Sequence, residues 1–576
     1  MSRQSLTSSR RRDAGVAAAL FGALAVLLLH RAWAAPDSRI VGQGGDSQQI
    51  MWALRWVPFA LHHHLNPLMT TYVGHGSIVN LAFNTSMPLA GLVLSPVTVL
   101  FGASVSYTLL MTIAFGGTAW TAFLAIRRHA SPIAAFIGGL AVGFSPYLAG
   151  QGLDHAHLTT VALIPVLLML VEDLAITPRG SVLRVGALLG LTAGLQMYLG
   201  EEEVTTSLIA ALVLLAVLSV LRRSDVTSRV HRTLVGSLIG AGVGGVIAAP
   251  LLAFQLFGAN HIGREPTPPR VVSSDLLGFI TPSPRTQWVA TEATGRTTAR
   301  FVPNPIEHGE YVGIALLVVL LVTTIALRRS TFVLTASLSA LAMGVLSLGP
   351  FLHVGGHDTG VWLPEELLAR LPFYNQVLPS RLAIFMFLGC GYVVAGAVDA
   401  LLAVDRPIRR VAGLTAVVAS LVTVAPVAPY PAAGYGVPRF FTHGVGGLRQ
   451  GTVALVLPWP SPYDVEPMTW QQSAGFRFQM PGGYWYWPDG TGATHFTVQE
   501  TSATATVFLG ILKGVPVTLT PGLRAAILTE LKQWDVQVVL LGPMGHQDRA
   551  RAAVIELLGA EPVESDGVLR WDVRTS

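Results

Sequence analysis

The chain contains about eleven apolar runs of roughly 17–24 residues, and each is long enough to cross a bilayer as a helix. Charged residues make up only 12% of the chain, about half the share found in soluble proteins. We therefore expect a mainly α, polytopic helical membrane protein. The runs occupy residues 15–35, 104–126, 132–149, 158–174, 181–199, 204–221, 234–257, 311–327, 332–348, 382–404 and 411–427.

Arginines indicate how these runs are oriented. If the N-terminus lies in the cytoplasm and the shorter run 88–102 is not counted, the arginine-rich connections all become cytoplasmic, as the positive-inside rule requires. Run 88–102 is then a helix on, or dipping into, the outer face, although it remains open that it spans and a later run does not. The first run also resembles a signal peptide, but cleavage would detach the segment that follows, so we expect an uncleaved span.

This topology predicts a membrane domain over residues 1–430, with outer loops at 36–103, 258–310 and 349–381. In the first loop, tryptophans at helical spacing suggest an interfacial helix. From about residue 430 the composition changes to a linker, and strand and helix patterns then alternate. We expect a small, exported C-terminal α/β domain over residues 436–576. Its aromatic residues 484–487 are candidates for stacking on sugars, with core packing as the alternative.

The composition also excludes several function classes. The net charge of +5 comes from arginines in short loops, and no basic stripe interleaved with aromatics suggests nucleic-acid binding. The single cysteine, Cys390, rules out an intramolecular disulfide and cysteine-type zinc sites. No phosphate-binding glycine loop, dinucleotide fingerprint or Ser-His-Asp signature is visible, so nucleotide-driven chemistry is not indicated.

Carboxylates stand at two points on the predicted outer face. Asp46 follows two glycines and precedes Gln48 at the start of a helical pattern. At this position Asp46 can be either a general base or the N-cap of the helix. Glu201, Glu202 and Glu203 lie between two apolar runs, where charge is costly. They fit a divalent-cation site or a carboxyl kept protonated by its neighbours, with a solvated turn as the alternative.

Other polar residues lie near the outer ends of runs. Asp154 and His155 suit metal ligation or hydrogen bonding equally well. Arg381 is an isolated outer arginine whose guanidinium matches phosphate geometry, with snorkelling as the alternative, and Arg285 is a second candidate on a long loop. Three further residues are interpreted as structural caps before the next run: Glu307, His308 and Glu310.

An acidic first outer loop, many spans, long outer loops and an exported C-terminal domain resemble the GT-C superfamily of membrane glycosyltransferases, including uncharacterised bacterial members. The resemblance covers roughly residues 15–430. It is carried by Gly45-Asp46 with Trp52 and Trp56, Asn66-Pro67-Leu68, Asn80-Leu81 with Met87-Pro88-Leu89, Gly143-Phe144-Ser145-Pro146-Tyr147 with His155 and Leu158, Glu202-Glu203-Val204, Asp275-Leu276-Leu277 with Pro282-Ser283-Pro284, and Pro379-Ser380-Arg381.

The resemblance implies sugar transfer from a polyprenyl-phosphate-linked donor to an envelope glycan or lipid acceptor, at the outer face of a bacterial cytoplasmic membrane. Asp46 would be the base for the acceptor hydroxyl, Glu202 and Glu203 the second acidic site, and Arg381 the ligand of the donor phosphate. The implied substrate-binding set is Arg381, His155, Arg285, Asp154 and Gln48.

The first loop departs from the superfamily pattern because it has one acid in place of an adjacent pair. This favours either a metal-free mechanism or a cation such as Mg²⁺, Mn²⁺ or Ca²⁺ shared with Glu202 and Glu203. A lipid or glycan transporter and a non-catalytic glycan-binding protein are the competing classes. A transporter is expected to carry polar residues at the membrane midplane, whereas here they cluster at one face.

Overall fold

The computed structural model describes residues 3–83, 86–262, 271–371, 377–489 and 491–573. These residues form two compact units, each built from non-consecutive segments. Unit 1 comprises residues 1–35, 108–248 and 267–432, and unit 2 comprises residues 36–107, 249–266 and 433–576. The division into domains 1–430 and 436–576 stays a prediction, although a boundary between the units falls between residues 432 and 433.

The α-helices are α1 (Arg3–Leu28), α2 (His30–Ala34), α3 (Asp46–His62), α4 (Pro88–Val93), α5 (Ser95–Phe101), α6 (Ala103–Ile126), α7 (Pro132–Gly143), α8 (Pro146–Gln151), α9 (Ala156–Thr159), α10 (Ile164–Ala175), α11 (Val182–Met197), α12 (Glu202–Leu221), α13 (Arg223–Thr227), α14 (Val230–Phe257), α15 (Glu292–Thr298), α16 (Ile314–Ala326), α17 (Thr331–Ser347), α18 (Glu365–Leu368), α19 (Ala383–Leu402), α20 (Pro407–Val424), α21 (Glu466–Ser473), α22 (Ala503–Leu512), α23 (Pro521–Gln533) and α24 (Gln547–Leu558).

The strands are β1 (Arg39–Val41), β2 (Met69–Thr70), β3 (Val79–Asn80), β4 (Phe351–Val354), β5 (His357–Trp362), β6 (Ala432–Gly434), β7 (Thr452–Leu457), β8 (Phe478–Gln479), β9 (Gly483–Pro488), β10 (Thr494–Val498), β11 (Val538–Leu541), β12 (Val563–Ser565) and β13 (Val568–Asp572).

The protein is a multi-pass membrane protein. Each predicted apolar run contains a helix, and within the described ranges six helical segments are long and apolar enough to span a membrane. The count of eleven spans and the orientation stay predictions. Run 88–102 forms α4 and α5, of 6 and 7 residues, which are each too short to span. The six segments are Ala103–Ile126, Pro132–Gln151, Glu202–Leu221, Val230–Phe257, Pro379–Leu402 and Pro407–Val424.

Small residues allow the helices of unit 1 to pack closely. An added Cβ at Gly190 of α11 would overlap the carbonyl oxygen of Gly240 on α14, and one at Gly138 of α7 would crowd that of Gly391 on α19. Such glycine contacts let membrane helices approach through their backbones. Ser131 caps α7 by accepting a hydrogen bond from the Ala134 N–H.

Unit 2 contains the predicted α/β fold, organised around a five-stranded sheet in the order β12-β13-β11-β7-β8. β7 runs parallel to β11 and β8, whereas β13 is antiparallel to β11. Alternate residues of β7 face opposite sides, so that Leu455 packs with α22–α24 and Val456 packs in the core that contains α3. The strands and helices expected after residue 450 are therefore confirmed.

Helix α3 differs from the expectation of an interfacial helix. Trp52 and Trp56 are at most 1% exposed and belong to the same core as the sheet, with their rings stacked 5.5 Å apart. The Trp52 indole N–H donates to Gln471 Oε1 at 2.8 Å. Helical spacing of aromatic residues suits a lipid interface and a packed sheet face equally well, and here the sheet covers them.

Candidate active site

Unit 1 holds a buried cluster of charges centred on Arg381. This residue lies in a 3₁₀ turn, Pro379–Leu382, that leads into α19, and its side chain is 14% exposed. Its Nη1 pairs with Glu202, while Nε and Nη2 donate to Glu307 Oε1 at 3.2 and 2.7 Å. Three of the five guanidinium N–H groups are thereby used, and within the described ranges one on Nη1 and one on Nη2 remain.

Local structure brings the two carboxylates to Arg381. Glu202 is the first residue of α12, and it also accepts the Leu378 N–H at 3.0 Å, which ties it to the segment before Arg381. Glu307 ends a 3₁₀ turn, Pro305–Glu307, whose preceding Asn304 caps it by accepting from the Ile306 N–H. Each acid therefore lies at the end of a helical element beside an outer loop of the predicted topology.

Glu307 is the most strongly held member of this cluster and is 4% exposed. Besides Arg381, it accepts from Gln151 Nε2 at 2.8 Å and from Ser380 Oγ at 3.1 Å. Burial alone raises the pKa of Glu307, but the Arg381 guanidinium, His155 and these hydrogen bonds outweigh it and lower the pKa from 4.5 to about 2. Glu307 is therefore ionised at neutral pH.

His155 joins the cluster through Gln151. Its Nδ1 lies 2.7 Å from Gln151 Oε1 and 3.5 Å from Glu307 Oε1. Since Gln151 donates its amide N–H to Glu307, its Oε1 must accept, and His155 Nδ1 must carry the proton. Gln151 therefore links the Glu307 carboxylate to the His155 ring through hydrogen bonds.

Glu203 differs from its neighbour Glu202. It is 3% exposed, and within the described residues neither of its carboxylate oxygens has a hydrogen-bond partner. Its carboxylate folds over Gly200, where a Cβ would not fit. A buried carboxylate without hydrogen bonds is costly, and such groups in a membrane protein usually mark functional sites.

The remaining predicted unit 1 residues are less central. Asp154 is half-buried next to His155, and Arg285 is exposed on its loop. The structure brings together Glu202, Arg381 and His155 from the predicted set.

Asp46 and Gln48 belong to unit 2. Gly45 occupies the N-cap position and Asp46 is the first residue of α3, where the helix dipole favours a carboxylate. The half-buried Asp46 accepts a hydrogen bond from the Tyr484 hydroxyl, and Gln48, two residues further along the helix, is buried. The role of Asp46 as a base stays a prediction.

The aromatic run at residues 484–487 lies in β9. Trp485 is fully buried, packs on Trp52 at 5.8 Å and donates to the Phe83 carbonyl at 3.1 Å. Tyr484 is also buried, whereas Tyr486 and Trp487 are half-buried. Sugar stacking is therefore restricted to the last two rings, since the first two belong to the core.

A divalent cation finds no ready ligand set in the described part of the chain. No group of three or more His, Cys, Asp or Glu side chains is arranged to hold a metal ion there. Glu202 and Glu307 instead face a guanidinium, which supplies the compensating positive charge. The present arrangement does not fit a cation, and the predicted Mg²⁺, Mn²⁺ or Ca²⁺ stays untested.

Sequence reasoning missed the part that Glu307 plays. Its interpretation as a structural cap was wrong, because the carboxylate pairs with Arg381. Gln151 was not named, and Ser380 was named only as part of the Pro379-Ser380-Arg381 motif. One available signal was charge balance, since a buried arginine requires carboxylate partners. Glu307 precedes an apolar run on the same predicted face as Arg381.

Comparison with known proteins supports this fold. A family model described as a domain of unknown function, DUF6311, matches residues 17–372. No curated protein matches the sequence. The solved arabinofuranosyltransferase AftD from Mycobacteria is similar over 98% of this chain and 40% of its own, at 15% identity and a TM-score of 0.54. This chain thus spans well under half the length of AftD.

A second similar structure is the archaeal oligosaccharyltransferase AglB from Archaeoglobus fulgidus, solved with an inhibitory peptide and a dolichol-phosphate. The similarity covers 92% of this chain and 69% of AglB, at 11% identity and a TM-score of 0.50. At such identities the likeness establishes the fold alone, which this chain shares with AftD and AglB. Because the family model covers more than half of the sequence, the chain belongs to the DUF6311 family.

Proposed function

We propose that this protein is a membrane glycosyltransferase that moves a sugar from a polyprenyl-phosphate-linked donor to an envelope glycan or lipid acceptor. The observation that carries the proposal is the buried Arg381, held in place by Glu202 and Glu307. Among the described residues, two of its N–H groups have no partner. The names of the similar structures, an arabinofuranosyltransferase and an oligosaccharyltransferase, support glycosyl transfer in general.

The proposed role of Arg381 follows from the chemistry of the leaving group. When the sugar leaves the donor, negative charge develops on the phosphate, and a fixed cation stabilises that charge most where water is excluded. Guanidinium presents paired N–H donors that match phosphate oxygens. The remaining N–H groups on Nη1 and Nη2 of Arg381 are a suitable pair of donors.

The carboxylates would fix the guanidinium in advance. Glu307 contacts Nε and Nη2, and Glu202 contacts Nη1, so rotation of the guanidinium would break one pair or the other. Such preorganisation avoids reorganisation during the reaction. An arriving phosphate would share Arg381 with both acids, and Glu202, the more exposed at 19%, is the partner more easily displaced.

Asp46 is proposed as the base that accepts the proton of the acceptor hydroxyl. The hydroxyl of Tyr484 donates to this carboxylate and would hold it in one orientation. We place this reaction in the bacterial cytoplasmic membrane, and the positive-inside rule supports an orientation in which the acidic loops and the C-terminal segment face outward.

The test of the proposal is the substitution Arg381→Lys. Lysine keeps the charge but loses the paired donors, and removal of one such donor typically costs about 10²–10³-fold in rate. We expect weaker binding of polyprenyl phosphate and a similar loss of transfer, measured with a panel of radiolabelled polyprenyl-phosphate pentoses and hexoses. Arg127→Lys is the control, because Arg127 also pairs with a carboxylate, Asp13, in the same unit.

Undiminished polyprenyl-phosphate binding and transfer by Arg381→Lys would contradict the proposal. So would an equal loss in Arg127→Lys, because the effect would then reflect a general disturbance of the membrane helices. Wild-type protein that binds polyprenyl phosphate but transfers no sugar from any donor in the panel would instead favour a lipid transporter.

A further inference from the structure

A half-enclosed groove lies in unit 1 between helices α10, α12, α17 and α19. Its walls are mainly apolar, and charged residues occur at one end only. This combination fits an amphipathic ligand with a polar head and an apolar chain. The side chains that define the groove are Glu172, Ala210, Leu214, Leu218, Arg222 and Leu388.

The groove follows one face of α12 away from the Arg381 cluster. Ala210, Leu214 and Leu218 recur every four residues and therefore share a face, which continues to Arg222 just beyond the helix. Helix α12 has 20 residues and is about 30 Å long at 1.5 Å per residue. Its Arg222 end thus lies roughly 30 Å from Glu202, the partner of Arg381.

The charges at the Arg222 end leave a cationic donor for a ligand. Glu172 is neutralised by Arg128 at 3.3 Å and contacts His129 at 3.1 Å. Arg222 pairs with Asp225 through Nε and Nη2, and within the described part of the chain its Nη1 has no hydrogen-bond partner.

The ion pairs around this end also have an excess of positive charge. Four arginines contact three acids, which leaves a net charge of +1. The arginines are Arg128, Arg179, Arg222 and Arg229, and the acids are Glu172, Asp173 and Asp225. Basic pockets between membrane helices on the cytoplasmic side typically bind anionic lipid head groups.

Two hydroxyl groups mark the middle of the groove. Thr335 and Ser339 are one turn apart on α17 and both line it, and among the described residues their buried oxygen atoms have no hydrogen-bond partner. Buried hydroxyls normally find a partner, and these two oxygen atoms are themselves enclosed, so they form a polar spot behind the apolar wall of the groove.

The geometry points to a binding site for one anionic glycerophospholipid of the leaflet at the Arg222 end. Its phosphate would contact Arg222, and an acyl chain would lie along Leu218, Leu214 and Ala210. This lipid is distinct from the proposed glycosyl donor, whose phosphate belongs at the other end of α12. The site would fix α12, and with it Glu202, against α17.

The test is native mass spectrometry of the full chain, exchanged into bilayer discs of phosphatidylglycerol or phosphatidylcholine and then released. Both lipids carry the phosphate, but the positive choline of phosphatidylcholine is repelled by the excess positive charge at this end. We therefore expect the wild type to retain one phosphatidylglycerol with about tenfold or greater preference over phosphatidylcholine. Ala210→Trp fills the groove and should abolish retention. Leu212→Trp is the matched control, because Leu212 lies on the same helix, is 57% exposed and does not line the groove.

Arg222→Gln gives a second test that leaves the groove open, and we expect it to remove the preference for phosphatidylglycerol. Three outcomes would overturn the inference. Ala210→Trp could retain the lipid as well as the wild type, both tryptophan variants could lose it equally, or the wild type could retain phosphatidylcholine as readily as phosphatidylglycerol. Retention of a polyprenyl phosphate in its place would also overturn it. Because these measurements require no sugar transfer, failure of the proposed function leaves them interpretable.

Discussion

Replacement of Glu307 by glutamine removes the charge that holds Arg381. The variant keeps the shape of the side chain but leaves Arg381 with Glu202 as its carboxylate partner. It also places an amide NH₂ group, which cannot accept, among the donors that Glu307 accepts from, namely those of Gln151, Ser380 and Arg381. Breaking a buried ion pair on one side typically costs about 3–5 kcal/mol of folding free energy. We therefore expect Glu307→Gln to be strongly destabilised at neutral pH.

The pKa of Glu307 gives an independent magnitude. It falls from 4.5 to about 2 in the folded protein, and a difference of about 2.5 units at 1.36 kcal/mol each is worth roughly 3 kcal/mol. Because the folded-state pKa is the lower one, this contribution is present above pH 4.5 and is lost as the pH falls towards 2. Glu307→Gln should lack this part of the acid dependence.

The single cysteine provides the assay. Cys390 is buried in α19 and becomes reactive only when the helices separate, so a thiol-specific fluorescent dye reports unfolding in detergent. Unfolding curves at pH 7 should give the wild type a free energy of unfolding about 3 kcal/mol above that of Glu307→Gln. Tryptophan fluorescence should reproduce the difference at pH values where the dye reacts poorly.

Glu310→Gln is the matched control. Glu310 lies three residues away and is 2% exposed, but burial raises its pKa to about 8, so it is largely protonated at pH 7. Glutamine resembles this neutral form, and we expect little loss of stability. Because the folded-state pKa of Glu310 is the higher one, its ionisation lowers the free energy of unfolding as the pH rises from 4.5 to 8. Glu310→Gln should not show this decline in the free energy of unfolding. Equal effects of the two substitutions would refute the charge argument.

Two further substitutions test the predicted catalytic acids. Asp46→Asn keeps an oxygen that can accept from the Tyr484 hydroxyl but removes the basicity of the carboxylate. Sugar transfer should therefore fall about 10²–10⁴-fold in a protein that unfolds like the wild type. Unchanged transfer would exclude Asp46 as the base. Glu203→Gln removes a buried carboxylate that has no hydrogen bond to the part of the chain that the structure describes, so we expect equal or greater stability together with a similar loss of transfer. Full transfer would make Glu203 dispensable for the chemistry.

The helices and the C-terminal α/β fold could be predicted from sequence because their signals are local. An apolar run of helical length indicates a membrane helix without any knowledge of its neighbours. Likewise, β7 and β11 read as short apolar strands, and α23 and α24 as periodic helices between turn residues. The packing of α3 was predicted wrongly, because the spacing of Trp52 and Trp56 specifies an apolar face but not what covers it.

The charge cluster could be predicted only in part, for the same reason. Glu202 and Arg381 stood out because each is a charge at the end of an apolar run, where charge is costly. Their pairing bridges 179 residues, and the contact of Glu307 with Gln151 bridges 156, distances over which no local pattern operates.

Once Arg381 is known to be buried, however, physical chemistry restricts its surroundings. A guanidinium removed from water requires carboxylates, and each carboxylate requires donors for its remaining oxygen sites. Glu307 meets the first requirement, and Gln151 and Ser380 meet the second. Glu203 lies beside the same cluster, and its carboxylate has no hydrogen-bond partner among the described residues, so it is the exception to this rule.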